Sequence, residues 1–121
     1  MNFSEHKPIY LQIADRIFEK IINGELKEEE RISSIRELGG QIGVNPNTVM
    51  RTYEFLKMQG IIFDKRGVGF FIAKDALKKV KKIYKDEFYE NELPEIIKKI
   101  KLLDIDLDEL TKKIETKINE K

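Results

Sequence analysis

Apolar residues recur at spacings of three and four between Pro8 and Asn23: Tyr10, Ile13, Ala14, Ile17, Phe18, Ile21 and Ile22. That period places them on one face of an amphipathic helix, with Pro8 near its first turn and Gly24 just past its end. The acidic run Glu28-Glu29-Glu30 reads as a solvated loop. A second, shorter helix begins at Ser34, whose hydroxyl can cap it while Glu37 reaches back to complete a capping box. Ile35, Leu38 and Ile42 supply its buried stripe, and Gly43 ends it where a left-handed residue is wanted. Asn45 as N-cap and Pro46 in the first helical position open a third helix almost at once. On that helix Val49, Tyr53 and Leu56 share the core face, and Asn47, Thr48 and Arg51 share the opposite one. Gly60 closes it.

Two β-type runs follow, Ile61-Ile62-Phe63 and Phe70-Phe71-Ile72, around the glycine-containing turn Asp64-Lys65-Arg66-Gly67-Val68-Gly69. They predict a hairpin whose tip carries two positive charges. From Asp75 onward Lys and Glu/Asp alternate around apolar residues at helical spacing. Leu77, Val80, Tyr84 and Phe88 make one stripe, which Leu93, Ile96, Ile97, Ile100 and Leu103 continue; Leu107, Leu110, Ile114 and Ile118 make another. Pro94 either begins a new helix or kinks a continuous one. In Ile105-Asp106-Leu107-Asp108, Asp106 is placed to cap the last helix. The expected class is mainly α, with a first domain over 1–74 and a helical region over 75–121.

Composition narrows the chemistry. The 121 residues are 40% hydrophobic and 37% charged, with no cysteine and one histidine. Disulfides, thiolate metal sites, thiol nucleophiles and multi-histidine sites within one chain are excluded. No nucleophile, base or metal cluster is discernible, so the expectation is a protein that is not an enzyme and uses no cofactor. His6 reads as a surface residue, and Asp104, Asp106 and Asp108 lack the glycine and terminal glutamate of a calcium-binding loop. No run approaches the roughly 18 apolar residues of a membrane span, and MNFSEHKPIY has no signal-peptide core, which implies a soluble cytoplasmic chain without a membrane partner. Residues 1–30 hold 4 Lys/Arg and 7 Asp/Glu, residues 31–74 hold 7 and 3, and residues 75–121 hold 12 and 12, for net charges of −3, +4 and 0. A basic middle suits a surface that meets a polyanion.

Helix, short helix, glycine turn, helix and basic-tipped hairpin, in that order, are the outline of a winged helix-turn-helix with a two-stranded wing. In such a unit the third helix enters the major groove with its N-terminal residues at base edges. Arg pairs bidentately with guanine and Asn with adenine, which suits Arg51 and Asn47. Ser34, Arg36 and Thr48 lie near helix N-termini, where phosphate oxygens are favoured. Lys65 and Arg66 suit phosphates, and Gly67 and Gly69 allow close approach. The candidate DNA-contacting residues are therefore Ser34, Arg36, Asn45, Asn47, Thr48, Arg51, Lys65, Arg66, Gly67 and Gly69, with a double-stranded operator as partner. A rival reading is a protein-interaction adaptor that binds no DNA; it would want an apolar or acidic face where Asn47, Thr48 and Arg51 stand.

On these residues, over about positions 8–73, the chain resembles the DNA-binding domain of GntR-type bacterial transcription regulators. Its NPNTV core and short tail resemble the YtrA subfamily. The resemblance implies that Arg36, within Ser34-Ile35-Arg36-Glu37-Leu38, contacts DNA. It places the recognition segment on Asn47, Thr48 and Val49 with Arg51 following, and the wing pattern on Gly67-Val68-Gly69. Two positions depart from the family pattern. Ile32-Ser33 replaces the usual Leu-Pro, and Gly39 replaces an alanine, which is expected to weaken the second helix by about 1 kcal/mol.

A tail of 47 residues is short for a conventional ligand pocket, so its stripes are assigned to a homodimer interface. The assigned residues are Leu77, Tyr84, Phe88, Ile97, Ile100, Leu103, Leu107, Leu110 and Ile114. The resemblance likewise implies a dimerising tail and repression of transporter operons. Two-fold symmetry then implies a palindromic operator with half-sites about one helical turn apart. Whether a small-molecule effector exists, and which, stays open.

Overall fold

The structure, a computed structural model, describes residues 7–120; His6 lies outside the described residues. Two compact units divide at Ile83/Tyr84. In the first, helix α1 spans Ile9–Ile22, α2 Ile35–Ile42 and α3 Pro46–Met58, followed by strands β1 (Ile62–Lys65) and β2 (Gly69–Ile72). Helix α4 (Ala76–Glu87) begins in this unit and ends in the next.

The expected end signals act as helix physics requires. Ser34 Oγ accepts the Glu37 N–H at 3.1 Å while Glu37 Oε1 accepts the Ser34 N–H at 2.9 Å, the reciprocal box that satisfies two orphan donors of α2. Gly43 closes α2 in the left-handed region at φ 68°. Asn45 Oδ1 accepts the Asn47 N–H at 2.8 Å, and Pro46 opens α3.

Ile13, Ile17, Phe18 and Ile21 of α1 are buried with Val49, Tyr53 and Leu56 of α3 and with Ile61, Ile62 and Ile72 of the hairpin. Two polar bonds tie these elements. Thr52, fully buried, donates through Oγ1 to the Tyr10 carbonyl at 2.7 Å. Tyr53 donates its phenol to the Ser33 carbonyl at 2.6 Å and sets its ring edge-on to Phe70 at 4.9 Å.

Four details differ from the sequence expectation. The hairpin pairs further toward its turn than its apolar runs, through Asp64↔Phe70 and Lys65↔Gly69, because ladder bonds depend on backbone and not on side-chain polarity. The acidic loop is solvated, yet its backbone joins the wing: the Glu29 N–H donates to Ile72 O, the Ile72 N–H to Glu30 O, and the Ile32 N–H to Phe70 O. Ile35, Leu38 and Ile42 are only half-buried, and the buried member of α2 is Gly39. A Cβ on Gly39 would stand 2.8 Å from the Val44 carbonyl oxygen, so glycine at this departure lets α2 and the start of α3 close together. Fourth, the compact unit extends beyond residue 74, because Ala76 and Val80 of α4 are fully buried.

In the second unit Pro94 neither breaks the helix nor leaves it purely α. Residues Phe88–Glu92 form a π-turn, in which the Leu93 N–H donates to Phe88 O, and α5 runs over Leu93–Leu102 with Pro94 in its first turn. Proline has no N–H to give there, and a wider turn just before it accommodates the missing bond. Asp104, at φ 51°, ends this stretch while the Ile105 N–H reaches back to Ile100 O. Asp106 occupies the N-cap position of α6 (Leu107–Asn119), but it makes no side-chain capping bond; its backbone carbonyl accepts the Leu110 N–H. No described residue of this unit is buried.

The glycines of α2 yield a paired prediction. A Cβ on Gly40 meets nothing within 4 Å, so Gly40→Ala gains about 1 kcal/mol from helix propensity alone. Gly39→Ala sets the same gain against the Val44 oxygen and lowers stability. Urea denaturation of both variants checks the contrast; equal stabilisation by the two would show that the Gly39 contact yields freely.

Candidate nucleic-acid interface

The first two turns of α3 present the face that the sequence marked out. Its core-facing side, Val49, Thr52, Tyr53 and Leu56, is buried, which leaves Asn47, Met50 and Arg51 exposed on the other side. Thr48 does not share that face fully. It is half-buried on the shoulder, one residue round from Asn47, and its carbonyl accepts the longer Thr52 contact at 3.3 Å. Asn45 is exposed, with its side-chain oxygen committed to the cap.

Arg51 is not a loose surface cation. Its guanidinium carbon lies 4.2 Å above the centre of the Tyr10 ring, and that ring meets Phe55 edge-on at 6.4 Å. Met50, 42% exposed, is a member of the face that polarity alone did not flag. Helical register was the available signal, since Met50 falls one turn after Asn47. An apolar group there is the type that meets a thymine methyl.

At the N-terminus of α2, Arg36 is exposed and makes no ion pair among the described residues. Ser34 and Glu37 hold each other beside it. The Glu37 carboxyl lies below the usual carboxylate value, chiefly because the Ser34 backbone N–H bonds its charged form, then through the Ser34 hydroxyl, with a smaller pull from Arg31. Burial first, and the Glu37 charge second, push the Tyr53 phenol up to about 12, so it remains a donor to Ser33 at neutral pH.

On the wing, Lys65 ends β1 and does not sit at the tip. Its ammonium lies 4.8 Å from the centre of Phe71, whose ring stacks on Phe63 directly across the ladder at 5.6 Å. The tip is Arg66-Gly67-Val68, closed by the Val68 N–H donating to Lys65 O, with Gly67 at φ 77°. Gly69 has a separate reason to be glycine: at φ 140°, a Cβ would stand 2.9 Å from Arg31 Nε. Arg31, bridged by backbone to Phe71, thus adds a third cation to the wing. Sequence reasoning missed it because it lies in the loop that only the fold brings to the hairpin.

Three helices, a two-stranded wing, an exposed polar edge on α3 and cations on the wing define a winged helix-turn-helix of the DNA-binding class. Residues 9–72 match the bacterial regulatory proteins of the gntR family, and the chain belongs to that family. It is 39% identical over 114 residues to the HTH-type transcriptional regulator YhcF of Bacillus subtilis, covering 94% of this chain and 93% of the relative. It is 41% identical over 69 residues to the HTH-type transcriptional repressor YtrA of the same organism, covering 57% of this chain and 53% of YtrA. Among solved structures, a GntR-family transcriptional regulator from Bacteroides thetaiotaomicron superposes with a TM-score of 0.80 at 40% identity, over 92% of this chain and 96% of the other. The DNA-binding domain of AraR, solved with its operator ORR3, superposes with a TM-score of 0.54 at 27% identity, over 60% and 88% of the two chains. The chain is a GntR-family DNA-binding transcription regulator, a family of regulators and not of enzymes. No described helix is long and apolar enough to cross a membrane.

The lowered Glu37 pKa sets the sign of a pH effect. A depressed folded-state value contributes stability above the unfolded value, near 4.5, and that contribution is lost as pH falls through the folded value. Urea denaturation of wild type and Glu37→Gln is therefore expected to differ by a constant amount above about pH 5 and by a shrinking amount in more acid buffer. A constant difference throughout would show that the carboxylate's charge is not what holds the box.

Proposed function

We propose that this chain acts in the cytoplasm as a homodimeric repressor, with α3 in the major groove of a palindromic operator and the wing on the flanking backbone. The observation that carries the reading is the exposed edge of α3: Asn47, Met50 and Arg51 in its first two turns, with no acidic residue among them. Arg36 at the start of α2, and Arg31, Lys65 and Arg66 on the wing, supply phosphate contacts; Ser34, Asn45 and Thr48 hold the helix starts that meet the backbone. Gly67 and Gly69 keep the wing thin enough to approach. Repression is the role carried by the name of the relative YtrA, and a transporter operon is the proposed target. An effector would release the operator only by binding one dimer geometry better than another.

Dimerisation is proposed for the second unit. Phe88, Ile97, Leu103, Leu107 and Ile114 are each at least 39% exposed, and Ile100 and Leu110 are half-exposed. A helical unit with apolar stripes and no core of its own gains one by packing on a second copy. Tyr84 lies at the start of this unit, whereas Leu77 is half-buried in the first and shares a surface cleft with Ile21 and Leu26.

Fluorescence anisotropy on duplex DNA from upstream of the gene, against a scrambled duplex, tests the reading. The expected preference is at least about a thousandfold, and Arg66→Ala is expected to lower the salt slope by about one while leaving that preference intact. Equal weak binding to the upstream duplex, the scrambled one and a random-sequence library would favour an adaptor that binds protein instead.

Analytical ultracentrifugation of the Leu103→Glu, Leu107→Glu double variant is expected to show a monomer at micromolar concentration, with operator affinity lost in parallel. A variant that stays dimeric places the interface elsewhere.

A further inference from the structure

We propose that Tyr10, on α1, is a positioning residue for DNA recognition: its ring holds the Arg51 guanidinium in place as part of the α3 surface that meets DNA. The inference rests on the DNA-reading role of α3 and extends the functional surface to a helix that need not enter a groove.

The geometry supports a fixed support for Arg51. Its guanidinium carbon is centred over the Tyr10 ring at 4.2 Å. Tyr10 itself is held at two points, one on its backbone and one on its ring. Its backbone carbonyl receives the buried Thr52 hydroxyl at 2.7 Å, and its edge packs on Phe55 at 6.4 Å. Thr52 and Phe55 belong to α3, so Tyr10 is anchored by the same helix whose arginine it carries. The acid nearest along α1, Asp15, is engaged by Lys7 at 2.7 Å, and no described carboxylate pairs with Arg51.

An aromatic partner suits an arginine that must still bind. A guanidinium attracted to a ring face by the ring's quadrupole is not paired with an acceptor, so N–H donors remain for phosphate oxygens or the O6/N7 edge of guanine. A carboxylate partner would consume those donors and cancel the charge. The ring also removes rotamer freedom that a long side chain would otherwise lose on binding. A phenol O–H is not required for this, so phenylalanine serves in its place and an aliphatic residue does not.

A double-mutant cycle tests the proposal on a duplex enriched from a random-sequence library by the full-length wild-type protein. Tyr10→Leu is expected to weaken binding about two- to fivefold per half-site, the size of a cation–π contact, and Tyr10→Phe to retain wild-type affinity. In the Arg51→Ala background, Tyr10→Leu is expected to cost nothing further. If Tyr10→Leu costs the same with and without Arg51, Tyr10 acts only through the fold and the proposal fails. If Arg51→Ala binds the enriched duplex as tightly as wild type, the proposal fails while the DNA-reading role stands. If no duplex is enriched at all, that role fails and the proposal with it.

Discussion

The first unit depends on one buried phenol. Tyr53 is 2% exposed, and a hydroxyl taken out of water at that depth must find an acceptor or cost several times a typical hydrogen bond. It finds the Ser33 carbonyl, in the strand-like entry to α2, while its ring meets Phe70 on the wing. A single side chain on the core face of α3 thereby sets that helix against the capped start of α2 and against the hairpin. The three elements with the candidate DNA contacts are held to one residue, and Arg36, Arg51 and the wing cations keep a common frame.

The opposite flank of α3 is set by Thr52, which takes the Tyr10 carbonyl at full burial. These two neighbours in sequence, Thr52 and Tyr53, point to different sides of the core and tie α3 to α1 on one side and to α2 and the wing on the other. Rigidity of this kind matters for a protein that reads DNA, since side chains displaced by an ångström lose the bidentate geometry that distinguishes one base pair from another. The second unit is built on another plan. Its helices have apolar stripes and charged flanks but no buried residue among those described, so its stability is coupled to whatever covers those stripes.

Much of the first unit is legible in the chain because its boundaries are set by local chemistry. Ser34 and Glu37 find each other three residues apart, Pro46 needs no donor at the first helical position, and Gly43 turns left-handed at the end of α2. The polar face of α3 follows from the helical period once its core face is known. What local chemistry does not carry is pairing over distance. The acidic loop bonds to β2 through its backbone, which has no sequence identity, and this brings Arg31 to Gly69. The same holds for Gly39, where propensity argues for alanine and the approach of the Val44 carbonyl argues against any side chain.

Legible in the chain alone were the order and ends of the first three helices, the wing, the basic middle of the chain and the family, because periodicity, capping residues and composition act within a few residues of one another. Packing across elements settled which cations are held and by what, including one, Arg31, that the chain alone did not mark. Arg51 lies on Tyr10, Lys65 on Phe71 and Arg31 against Gly69. The tertiary structure also decided how the chain passes Pro94, through a π-turn that keeps the path helical. One cause is common to the held cations. A charged side chain has several staggered routes from its Cα, and the ring or glycine that selects one comes from a different element, placed there by the packing of the core.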